Sequence, residues 1–236
     1  MIADVTDVAA IAARAHAIRE RVDAAARRAG RDPGEITLIG AAKTHPPSAI
    51  AAAVDAGIRD IGENRVQEWR DKRDALAAQG AVIRWHFIGT LQKNKVRAVV
   101  GEVVLIHSVD SPALAEAIGA RARQAGTVQD VLLEVNVAAE PSKHGVGREE
   151  AEAVAARLDD IGGVRLRGFM TIPPPGDPSA ARAAFGWIRG LRDRLAPQRP
   201  ALTELSMGMS EDFEVGIEEG STMVRIGTAI FGPRDD

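Results

Sequence analysis

The chain contains no cysteine and no tyrosine among its 236 residues, and aromatic side chains of every kind make up only 3% of it. Without cysteine there are no disulfides, no thiolate metal sites and no cysteine nucleophile. Scarce aromatics leave little on which to stack nucleobases, the formal net charge is -3, and no dense run of Lys and Arg occurs, so nucleic acid is not an expected partner. No apolar stretch approaches the roughly 18 residues of a membrane span, and no secretory leader is apparent, so neither a membrane nor export is expected and the cytoplasm is the expected location. The five histidines, His16, His45, His86, His107 and His144, show no HxxxH or HxH spacing, and no metal site is expected.

What is present is a well-supplied core. Hydrophobic residues make up 45% and charged residues 27%, within the size range of a single α/β barrel. Residues 36–47 read Ile-Thr-Leu-Ile-Gly-Ala-Ala-Lys-Thr-His-Pro-Pro. This apolar run is too short for a buried helix and is stopped by two prolines, which predicts a buried strand delivering Lys43 at its carboxyl end. A lysine in such a partly dry setting has a depressed pKa and can attack a carbonyl, although most strand-end lysines are simply solvated or ion-paired.

The rest of the chain alternates. Val5, Val8, Ile11, Ala15, Ile18 and Val22 recur at helical spacing up to Gly30, predicting an opening helix. Further strands are expected at 58–61, 82–88, 103–108, 128–137, 164–172, 201–206 and 222–226. Helices are expected between them at 48–56, 64–78 (capped by Asn64), 91–100, 111–126, 148–161, 179–196 and around 211–219. Eight strands separated by helices predict a single (β/α)8 barrel of the TIM type with an extra N-terminal helix, one domain over residues 1–236. A doubly wound sheet is the alternative, but no G-x-G-x-x-G follows the first strand.

A barrel places its site at the carboxyl ends of its strands, where Lys43, Asn64, Met170, Ser206–Ser210 and Arg225–Thr228 fall. The loops after strands seven and eight are common phosphate cradles. Gly208 and Gly227 would let backbone N–H groups approach an anion, and Ser206, Ser210 and Thr228 would add hydroxyls.

The blocks Ala42–Thr44, Gly62–Glu68, Trp85–Lys95, His107–Asp110, Ser206–Ser210 and Arg225–Gly232 closely resemble the pyridoxal phosphate homeostasis protein family, in the same order and over nearly the whole chain. The resemblance implies the fold of the alanine racemase N-terminal barrel and pyridoxal 5'-phosphate bound as a Schiff base on Lys43. It further implies phosphate in the loops containing Ser206, Met207, Gly208, Ser210, Gly227 and Thr228, and Arg225 at the pyridine nitrogen, with Asn64 and Met170 also around the cofactor. His45 stands where many members carry a second lysine, Arg65 where an aromatic is common, and His144 where a small residue is usual.

An arginine beside the pyridine nitrogen makes the ring a weak electron sink. A two-base racemase needs a proton carrier opposite the lysine, a tyrosine in alanine racemase, and this chain has none. The expected role is therefore carriage or homeostasis of the cofactor with little turnover, with pyridoxal-phosphate-dependent apo-enzymes as recipients. The alternatives are an amino-acid racemase and a phosphosugar-binding barrel with a structural lysine.

Overall fold

A computed structural model describes residues 7–140 and 143–233. The first helix, α1 (Val8–Arg28), starts at Asp7, whose carboxylate accepts a hydrogen bond from the Ala10 N–H at 2.9 Å. Its stripe of Ile11, Ala15, Ile18, Val22 and Ala26 is buried, as its spacing predicts; Val5, read as part of the same helix, lies outside the described residues.

Strands and helices then alternate. They are β1 (Thr37–Ala41), α2 (Pro47–Asp55), β2 (Asp60–Glu63), α3 (Val66–Ala77), β3 (Arg84–Phe87), α4 (Val96–Val99), β4 (Leu105–Val109), α5 (Pro112–Gln124) and β5 (Gln129–Asn136). There follow β6 (Val146–Gly147), α6 (Ala151–Asp159), β7 (Val164–Met170), α7 (Pro178–Leu195), β8 (Glu204–Ser206), α8 (Phe213–Glu218), β9 (Met223–Ile226) and α9 (Thr228–Phe231). Eight of the strands, all but β6, pair in parallel and close on themselves through β1–β9 and β4–β5. The two-residue β6 adds to the end of β5 (Val135↔Val146). The expected (β/α)8 barrel with an additional N-terminal helix is therefore the observed architecture.

Two apolar layers hold it. Inside the barrel, Ile39, Leu105, Leu132, Met170 and Met223 pack together beneath Ile172, filling the lumen as a core rather than leaving a pore. Outside, the alternate residues of the same strands meet the helices in one continuous cluster. Trp69 of α3 is fully buried in it, with the Arg73 guanidinium 4.9 Å from its ring centre. Trp85 in β3 is also buried, whereas Trp187 of α7 is half-buried under Arg148.

Three local expectations are corrected. Asn64 does not cap α3: Arg65 occupies that position in extended conformation with no side-chain cap, and Asn64 belongs to the β2 carboxyl end. The basic helix expected over 91–100 is a 3-10 turn (Lys93–Lys95) running into the four-residue α4, because its lysines provide no apolar face to pack. The helix expected at 148–161 begins only at Ala151.

Candidate functional site

The carboxyl ends of the strands surround a cavity of about 480 Å³ whose wall includes Lys43, Asn64, Ser210, Arg225, Gly227 and Thr228. Six of the ten residues expected at the site are thus brought together. The other four lie behind the wall: Met170 in the inner apolar cluster, Ser206 and Met207 fully buried, and Gly208 within the loop after β8.

Lys43 sits where β1 ends. Ala41 and Ala42 are buried, Thr44 turns at φ 64°, and Pro47 opens α2, so the lysine emerges from an apolar strand at a sharp turn. A β-branched residue in the left-handed region stores strain of roughly 1–3 kcal/mol, and such outliers cluster at functional sites. A second lysine pins this turn from below: Lys72 donates to the Ala42 carbonyl at 3.0 Å and to Glu63 at 2.6 Å, with both side chains buried. Burial pushes the Glu63 carboxyl up, and Lys72 opposes that shift. His45 lines the cavity and stacks on Phe231 of α9, ring centres 5.1 Å apart.

The far wall is made by two loops. Gly208 has φ 98° and lies so close to α8 that an added Cβ would stand 2.8 Å from the Phe213 Cα, so the loop can follow this path only with glycine. The Gly208 carbonyl accepts the Arg225 backbone N–H at 3.0 Å, stitching the loop to β9, and Asp212 accepts the Met209 N–H at 2.6 Å. Ser210, Gly227 and Thr228 are left facing the cavity.

Arg225 is the fixed cation of the site. Only 5% exposed, it donates to the Ser206 carbonyl at 2.8 Å, the Ser206 hydroxyl at 2.5 Å and the Thr171 carbonyl at 3.1 Å. Burial lowers its pKa to about 10, against the raising influence of Glu134 and Asp212, so it is charged at neutral pH.

Behind Arg225 runs a chain of side chains that crosses the barrel. The Ser206 hydroxyl is 2.8 Å from His107 Nδ1, His107 Nε2 is 3.0 Å from His86 Nδ1, and His86 Nε2 is 2.9 Å from Asp60 at the opposite end of β2. With one N–H on each ring the proton directions are fixed from the far end, because the Asp60 carboxylate only accepts, while at the near end the Arg225 guanidinium only donates. Ser206 therefore accepts from Arg225 and donates to His107 Nδ1. His107 donates through Nε2 to His86, which donates through Nε2 to Asp60. Both rings are neutral Nε2–H tautomers in this arrangement, and burial, followed by His86 and Arg225, holds His107 well below the usual histidine range. Nothing in the sequence flags this chain, because its links join residues 26, 21, 99 and 19 positions apart.

Asn64 forms the remaining wall. Gly89 passes directly over it, so that an added Cβ there would lie 2.3 Å from the Asn64 carbonyl oxygen. The Asn64 side-chain oxygen is shielded from solvent and has no hydrogen-bond partner among the described residues.

Residues 13–235 match the family described as alanine racemase, N-terminal domain. The chain is 47% identical over 219 residues to the pyridoxal phosphate homeostasis protein of Aquifex aeolicus, covering 92% of this chain and 95% of that one. Among solved structures, an unknown protein from Bifidobacterium adolescentis superposes with a TM-score of 0.91 at 40% identity, over 98% of each chain. PipY of Synechococcus elongatus PCC7942, solved with PLP bound, superposes with a TM-score of 0.82 at 37% identity, over 94% of this chain and all of that one.

Proposed function

The chain belongs to the pyridoxal phosphate homeostasis protein family, and from that premise we propose that it binds pyridoxal 5'-phosphate and serves the cell's handling of that cofactor, with little or no turnover. The observation that carries this reading is the convergence on one cavity of an amine (Lys43), a buried guanidinium (Arg225) and two loops with glycine and hydroxyl groups (Ser210, Gly227, Thr228). That donor set fits a molecule with an aldehyde, an aromatic nitrogen and an anionic arm. A bound pyridoxal phosphate would supply an electrophilic carbon and an electron-withdrawing ring.

Lys43 is the residue that would hold the aldehyde end, and Ser210, Gly227 and Thr228 the phosphate. Arg225 would face the ring nitrogen and, remaining protonated, give it no proton. Ser206 orients Arg225 from behind, Gly208 shapes the loop that carries Ser210, and Met170 supports the cavity floor through Ile172. Asn64 closes the side wall. Cofactor-dependent apo-enzymes are the proposed recipients and the cytoplasm the proposed location; among the described residues no helix is long and apolar enough to cross a membrane.

Borohydride reduction of the loaded protein followed by peptide mass mapping should place the pyridoxyl adduct on Lys43, and an adduct confined to Lys93, Lys95 or Lys143 would refute the assignment. Incubation with L-alanine in deuterium oxide should give no appreciable D-alanine. Robust racemisation would instead establish the enzyme reading.

A further inference from the structure

We propose that a second, smaller cavity, walled by Glu134 and adjoining the one that Lys43 lines, is a subsite for the primary ammonium group of a small amine. This cavity of about 260 Å³ shares Asn64, Ile88 and Ile172 with the larger one, so a ligand seated in it lies next to the lysine pocket. Glu134 projects inward from β5, only 9% exposed, and its carboxylate receives no hydrogen bond from any described residue. Nine-tenths burial of an unbonded carboxylate leaves it in need of a donor.

The surrounding groups do not supply one. Arg225 directs its guanidinium hydrogen bonds to Ser206 and Thr171. Lys143, which also borders the cavity, is held by Glu140 at 2.5 Å and by the Ile172 and Pro173 carbonyls. His144 is largely exposed and stands 3.9 Å from Asp110. Asp110 adds negative charge near Glu134; burial first and then Asp110 push the Glu134 carboxyl above its usual range, while Arg225 and His144 oppose them.

The wall shared by the two cavities supplies a second acceptor, since the unpartnered Asn64 side-chain oxygen is on it. Two acceptors, beside cations whose hydrogen bonds and ion pairs are directed elsewhere, call for a compact group with several donors and a positive charge, which an ammonium is and a carboxylate or neutral alcohol is not. The two adjoining cavities are thus of opposite character: Arg225, Lys43 and the hydroxyl loops favour an anion, whereas Glu134 and Asn64 favour a cation. An amine held here would stand beside the aldehyde that Lys43 is proposed to hold, and that consequence alone rests on the function proposed above.

The test uses protein without cofactor, so that it stands apart from the fate of that reading. Isotope-labelled protein is titrated with ethylamine hydrochloride, and in parallel with sodium propionate, following the Glu134 carboxyl carbon and the Asn64 side-chain amide by NMR. Saturable shifts of both signals with ethylamine, and weaker or no response to propionate, are expected. Glu134→Gln, nearly isosteric, should retain the fold and weaken ethylamine binding by about tenfold or more, equivalent to about 1.4 kcal/mol. Stronger binding of propionate, absence of saturable binding of ethylamine, or unchanged ethylamine affinity in a folded Glu134→Gln protein would each overturn the proposal.

Discussion

Replacing His107 by Phe cuts the chain of hydrogen bonds that runs from Arg225 to Asp60 at its centre. The substitution keeps an aromatic ring in a fully buried position while deleting both nitrogens, so the Ser206 hydroxyl proton and His86 Nδ1 lose their partners together. Each is buried, and an unsatisfied buried polar group costs about 1–3 kcal/mol, which makes the expected loss about 2–6 kcal/mol before any strain from the larger ring. Ser206→Ala should cost less, because only His107 Nδ1 is orphaned and Arg225 keeps two carbonyls.

The pH dependence provides a sharper measurement. His107 has a folded-state pKa well below its unfolded value of about 6.5, so below that pH the unfolded chain takes up a proton that the folded chain does not. Stability supplied by the neutral ring is complete above pH 6.5 or so and drains away as the pH falls, at about 1.4 kcal/mol per pH unit. His107→Phe should lack that component. Urea denaturation of both proteins from neutral to mildly acid pH would show the variant's curve flatter than the parent's by this amount. Parallel curves, or a loss at neutral pH under about 1 kcal/mol, would refute the picture of His107 as a neutral ring hydrogen-bonded at both nitrogens.

Lys72→Met should destabilise the protein by about 3–5 kcal/mol in urea denaturation, because Glu63 is left charged and buried with no counter-ion. The loss should shrink as pH is lowered, since a protonated Glu63 needs no cation, and adding Glu63→Gln should recover much of it. Pyridoxal should bind at least about tenfold more weakly than its phosphate when visible absorbance is titrated, since it cannot engage the Ser210 and Gly227–Thr228 loops with charge-assisted hydrogen bonds; equal affinities would show that those loops are not the phosphate cradle.

The barrel was legible because each strand is a short apolar run stopped by glycine, proline or a polar cluster, and these signals are local. Lys43 was legible for the same reason: the apolar residues before it and the prolines after it fix where the strand ends. What was not legible depends on neighbours in space. Asn64 reads as a helix cap from its residue type, but Gly89 crossing above it commits it to the cavity wall. Ser206 and Gly208 read as phosphate-loop residues, and what the sequence does not show is that Ser206 also holds Arg225 and that Gly208 packs against α8. The Lys72–Glu63 pair and the His86–His107 contact each unite residues from different barrel elements, and the burial of the Glu134 carboxylate depends on the elements around it, none of which any periodicity announces. The last helix, Thr228–Phe231, is only four residues long and has no periodicity to read.

The placement of the tryptophans makes the protein's light emission simple to interpret. With no tyrosine in the chain, excitation near 280 nm enters only Trp69, Trp85 and Trp187 apart from a minor phenylalanine share, and no tyrosine-to-tryptophan transfer complicates the decay. Trp69, sealed in the outer core on the same helix as Lys72, should emit towards the blue, and half-buried Trp187 further to the red. A visible-absorbing aldehyde entering the cavity would quench these emitters unequally, so the emission spectrum should change shape as well as intensity. Loading could then be followed in real time with no label attached.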